Sequence, residues 1–238
     1  MGLSIHYTLL AGDALTSAEV RKLVARARVF ALGLGVESVS PLIKVESDFP
    51  LAQEWVALPE SDGGATHVNV PPDTGYVFNV TLGQDCESML LGLCRYPAFV
   101  KYGGQTLPTK AGDGWRLRDA CKTQYASMHG WEHFLRCHRT VIDLLNHWRT
   151  LGLQVRINDE GGYWPRRSEK ALRESLGEMN GIVAALGGAL KDDAGGLSVV
   201  SPIFQHPQFE RLEAEGATRH RRKTRQAVKV IGKVARGK

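Results

Sequence analysis

Side chains able to do acid–base or anion-binding chemistry fall at alternate positions of four extended stretches. In 3–9, Leu3, Ile5, Tyr7 and Leu9 are apolar, which turns Ser4, His6 and Thr8 to the opposite side. The outward residues of 39–46 are Lys44 and Glu46. Those of 115–125 are Arg116, Arg118, Lys122 and Gln124, and those of 153–160 are Gln154, Arg156, Asn158 and Glu160. If the four stretches are neighbouring strands, these side chains share one surface. Arg118, Lys122, Gln124 and Arg156 would there hold a phosphate or carboxylate. His6 and Glu160 would serve as acid and base, with Lys122 as electrostatic stabiliser. The same pattern also describes a solvated sheet face with cross-strand ion pairs. It has no aromatic residue for stacking, which weighs against an RNA-binding platform.

Two compact motifs end predicted strands. One is Cys121-Lys122-Thr123-Gln124-Tyr125-Ala126; the other is Asp159-Glu160-Gly161-Gly162-Tyr163-Trp164. The second places two carboxylates before a flexible Gly-Gly, and Tyr163 and Trp164 are rings able to cover a ligand. A tight turn with a packed aromatic hook is the plainer reading. Between the motifs, His129, His133 and Cys137 recur every four residues and would form a helical ridge. Glu132 is not placed as in a zinc-binding H-E-x-x-H, so solvent exposure is expected and no metal. His138 sits within the apolar stripe of that helix and is expected to be a buried, hydrogen-bonded imidazole.

The two motifs, with Phe134-Leu135-Arg136-Cys137-His138 between them and Phe209-Glu210-Arg211-Leu212-Glu213-Ala214-Glu215-Gly216 after them, resemble a bacterial protein family to which no activity is assigned. The resemblance covers roughly 115–216 and leaves out the basic C-terminus. It implies no reaction, cofactor or ligand.

The elements that must position these residues follow from periodicity. A strand at 3–9 leads through Gly12-Asp13 into a helix capped by Thr16 or Ser17 and stopped by Gly33 and Gly35. A second strand follows at 39–46. Residues 47–113 read as a β-rich insertion, with strands at 66–70 and 76–82 around a turn at Pro71–Gly75 and another strand at 89–94. A strand at 115–125, a helix over 129–151, a strand at 153–159 and a helix capped by Ser168 complete the body. In that last helix Leu172, Leu176, Met179, Val183, Leu186 and Leu190 form one apolar stripe, expected to be buried. The order is β-α-β, insertion, β-α-β-α. It predicts an α+β fold of ferredoxin-like type, with helices on one sheet face and the polar residues on the other.

Charge divides the chain at residue 218. Nine of the 30 basic residues lie in 219–238, where there is no acid; 1–218 therefore has 21 bases against 25 acids, a net −4 beneath the overall +5. We read 1–218 as a single domain and 219–238 as a basic tail, disordered or amphipathic. Its Arg221, Arg222, Lys223, Arg225, Lys229 and Lys233 are able to meet nucleic acid. Cys86, Cys94, Cys121 and Cys137 make no C-x-x-C pair and read as free thiols. The N-terminus shows no targeting pattern and no apolar run is long enough for a membrane span, so a cytoplasmic protein is expected. Phosphate-loop, dinucleotide and nucleophile-elbow motifs are absent, and no cofactor is expected. Three readings stay open: recognition of a small anion or a protein on the polar face, an enzyme using that face, and nucleic-acid association through the tail.

Overall fold

The structure is a computed structural model, and it describes residues 2–47, 49–59, 65–109, 111–193 and 201–218. The basic run 219–238 lies outside them. The elements in chain order are β1 (Ser4–Ala11), α1 (Ser17–Leu32), β2 (Ser38–Val39), β3 (Ile43–Val45), β4 (Glu54–Pro59), β5 (Ala65–Val70), β6 (Thr74–Thr81), β7 (Met89–Arg95), β8 (Phe99–Tyr102), β9 (Gln105–Pro108), β10 (Trp115–Lys122), α2 (Trp131–Thr150), β11 (Gln154–Asp159) and α3 (Glu169–Asp193). A further helix covers 209–218.

The protein is α+β. Its main sheet has the order β11-β1-β10-β7-β6-β2, with β3 also on β6, and every pairing is antiparallel. Period-two hydrophobicity fixes which face is buried. Ile5, Tyr7 and Leu9 of β1 and Leu117 and Cys121 of β10 lie in the main core with Phe134, Val141, Ile142 and Leu145 of α2. On α1, Val20, Val24, Ala27 and Ala31 recur at helical spacing and are buried. Its start is a capping box: Thr16 accepts from the Glu19 amide, and the Glu19 carboxylate accepts from the Thr16 amide. Gly114, with φ +77°, turns the chain into β10, and a Cβ there would lie 2.6 Å from the carbonyl oxygen of Ala11.

The stretch 47–113 departs from the expected layout. β5 and β6 are not a hairpin across Pro71–Gly75, because β5 pairs with β4 and β6 pairs with β7. β6 and β7 join the main sheet, while β4–β5 and β8–β9 form two small hairpins. These pack on each other through Val56, Leu58 and Val70 with Val100 and Leu107. β3 sits at the far edge, so Lys44 and Glu46 are remote from β1 and pair with each other at 3.1 Å. The α3 stripe also differs. Leu172, Leu176 and Val183 are buried, but Leu186 and Leu190 are 44% and 51% exposed. Helical periodicity marks a face; how far the body extends beneath it is a tertiary matter.

Candidate functional site

Strand register places the outward residues of β10, β1 and β11 on a grid. Arg116, Leu10 and Gln154 make one row; Arg118, Thr8 and Arg156 the next; then Ala120, His6 and Asn158. Alternation puts all nine on the face opposite α1 and α2. Thr8 is thus flanked by two arginines. Both are exposed, and neither makes a hydrogen bond or ion pair with the described residues. Such like charges on one row repel, and no carboxylate relieves them.

The hairpin β4–β5 turns this face into a cleft. Gln53, Glu54 and Trp55 wall it on one side. The space is about 770 Å³, lined also by His6, Thr8, Leu10, Arg116, Arg118, Arg156 and Asn158. Glu54 is buried at 4% exposure and accepts from Arg116 Nη2 at 2.9 Å through Oε1. Its Oε2 and Arg116 Nε are closed off from water and have no hydrogen-bond partner. Burial raises the Glu54 carboxyl above its ordinary value, against the pull of Arg116 and Arg118. Trp55 is 59% exposed, with its ring 4.4 Å from that of His67.

The cleft brings together His6, Arg118 and Arg156 of the predicted site residues. Lys122 and Glu160 lie outside its lining and are engaged elsewhere. Lys122 Nζ is 3.5 Å from Glu87 Oε1. Glu160 Oε2 accepts from the Ser4 amide at 2.8 Å, and Oε1 is 3.4 Å from His6 Nε2. Gln124 is not on the face at all. β10 ends at Lys122, and a 3-10 turn (Gln124–His129) carries Gln124 into the interior. There its Oε1 accepts from the Leu3 amide at 2.9 Å and its Nε2 donates to Asn180 Oδ1 at 2.8 Å.

Asp159, Tyr163 and Trp164 face the helices. Asp159 Oδ1 accepts from the Gly161 amide at 2.7 Å and Oδ2 from the Trp164 amide at 2.8 Å. The same Oδ1 lies 3.3 Å from His138 Nε2, and His138 Nδ1 is 2.9 Å from Thr123 Oγ1. Burial alone would raise the Asp159 carboxyl, but His138 and the two amides outweigh it and hold it below its ordinary value. Tyr163 is buried, edge-on to His138 at 5.8 Å, and Trp164 lies under Arg149 at 4.8 Å. A Cβ on Gly161 would lie 3.1 Å from His138 Cε1, so the absence of a side chain there lets the loop close over the imidazole. The three sequence motifs therefore meet in a buried joint between β10, α2 and β11. Its Thr–His–Asp chain has the element order of a nucleophile, base and orienting acid, but Thr123 and His138 are 0% exposed and no substrate reaches them.

The histidine ridge is held by the loop before β7. His129 Nε2 is 2.6 Å from Asp85 Oδ2, and His133 Nε2 is 2.9 Å from the Gln84 carbonyl oxygen. Among the described residues no group of three His, Cys, Asp or Glu is arranged to hold a metal ion. The sequence reading missed Glu54 and Trp55, although Glu54-Trp55-Val56-Ala57-Leu58 alternates in the way β4 requires. No family model matches the chain, and no curated protein and no solved structure is detectably similar to it.

Proposed function

We propose that this is a binding protein whose open sheet face grips an acidic segment of a partner protein. The observation that carries the reading is the Arg118–Thr8–Arg156 row: two unpaired guanidinium groups, beside an exposed tryptophan, on an otherwise acidic chain. Arginine and tryptophan are the side chains that most often anchor protein interfaces. A small-molecule site encloses most of its ligand; here Arg118, Arg156, His6 and Asn158 are all exposed, which favours a broad partner over a small anion. The enzyme reading loses support because Lys122 and Glu160 are tied to Glu87 and the Ser4 amide.

A ferredoxin-like arrangement of β11-β1-β10-β7 is supported by their antiparallel order and by α2 linking β10 to β11 around β1; it carries no activity by itself. Four free cysteines fit a reducing cytoplasm. No helix among the described residues is long and apolar enough to cross a membrane.

The test is capture from nuclease-treated extract on the immobilised full chain and on an Arg118→Glu/Arg156→Glu variant, followed by titration of the purified captured protein. We expect at least about tenfold weaker binding to the variant, a loss of affinity at higher salt, and recovery when an acid on the partner is reversed to lysine. Equal affinity for both chains would overturn the reading. So would capture that disappears on nuclease treatment, which would assign the interaction to nucleic acid.

A further inference from the structure

We infer that the segment bound in the cleft is bipolar, with carboxylates over Arg118 and Arg156 and a lysine or arginine side chain reaching Glu54 beside Trp55. The inference rests on the proposed acidic-partner reading and adds the second charge.

Glu54 is the group that the rest of the fold leaves unexplained. It is 4% exposed, yet only one of its two carboxylate oxygens is hydrogen-bonded. A buried carboxylate oxygen without a donor costs free energy, and folded proteins hold few of them. Arg116 satisfies Oε1 alone, and its own Nε is also left unpaired. The pair is therefore half-finished from both sides, within a cleft that has room for a donor.

Position specifies the donor. Arg116 lies two residues before Arg118 on the same face of β10, so Glu54 sits one row further along the strand. That row spacing is about 7 Å, the distance between residues i and i+2 of an extended chain. Trp55, next in sequence to Glu54, offers a mostly exposed ring backed by His67. A lysine or arginine stem laid on that ring would gain a cation–π contact while its head donates to Glu54. The recognised pattern is thus an acidic residue and a basic residue two positions apart in an extended segment.

The experiment is selection of a displayed random 12-residue peptide library on the full-length protein, with counter-selection on Arg118→Glu/Arg156→Glu. Recovered peptides should hold an acid and a lysine or arginine two positions apart. A synthetic binder should weaken at least tenfold when its lysine is replaced by norleucine. Glu54→Gln should abolish that difference, and Trp55→Ala, a substitution at an exposed position that spares folding, should reduce it. Peptides that need Arg118 and Arg156 but bind equally with lysine or norleucine would overturn the inference and leave the acidic-partner reading standing. A selection yielding only peptides indifferent to Arg118 and Arg156 would overturn both.

Discussion

His138 Nε2 and Asp159 Oδ1 are 3.3 Å apart, and neither side chain is exposed to solvent. The contact joins the middle of α2 to the end of β11, and Thr123 extends it to the end of β10. Because Asp159 also accepts from the amides of Gly161 and Trp164, it shapes the loop that carries Glu160 to the rim of the open face.

Asp159→Asn is expected to cost roughly 3 kcal/mol, since it removes a charged acceptor from a buried network. The pH dependence has a definite sign. The folded-state carboxyl titrates below its ordinary value of 3.8, so its contribution is full above that pH and is lost as pH falls towards the lowered value. Chemical denaturation of both proteins should show a constant gap from neutral pH down to about pH 5, narrowing below pH 4. A gap that persists at pH 2 would show that the carboxylate charge is not what stabilises the joint.

Arg116→Met is expected to destabilise the protein by about 3–5 kcal/mol at neutral pH, because it leaves the Glu54 carboxylate buried and unpaired. Here the sign is opposite to that of Asp159. Glu54 has a raised folded-state pKa, so the cost of its ionisation is largest at high pH and falls as pH drops through that value. Unfolding midpoints at pH 7.5 and pH 5 should therefore lie closer to wild type at the lower pH. In the double variant Glu54→Leu/Arg116→Met the loss should be largely recovered, since an apolar pair strands no charge.

Leu172→Ala and Leu190→Ala test the course of α3. Leu172 is 0% exposed and Leu190 is 51% exposed. The first substitution should cost about 2–5 kcal/mol and the second less than about 0.5 kcal/mol. Similar losses measured by thermal or urea unfolding would mean that the whole stripe is covered in solution.

Local pattern determined much of this molecule. Alternation in 3–9, 115–122 and 153–159 marked β1, β10 and β11 and correctly turned His6, Arg118 and Arg156 to one side, because a strand offers each side chain only two directions. The capping residue Thr16 and the burial of His138 were equally legible, since both follow from contacts within one helix or its stripe. Pairing was not legible. Alternation says which way a residue points but not which strand lies beside it, so Lys44 and Glu46 were placed on a face they do not share with β1. Gln124 shows the same limit at a strand end, where one change from extended to 3-10 backbone moved it from surface to interior. Only the tertiary structure joined Thr123, His138 and Asp159, brought Glu54 and Trp55 to the wall of the arginine row, and left Leu186 and Leu190 uncovered. Each of these depends on contacts between residues far apart in the chain, set by the packing of whole elements rather than by the periodicity of any one.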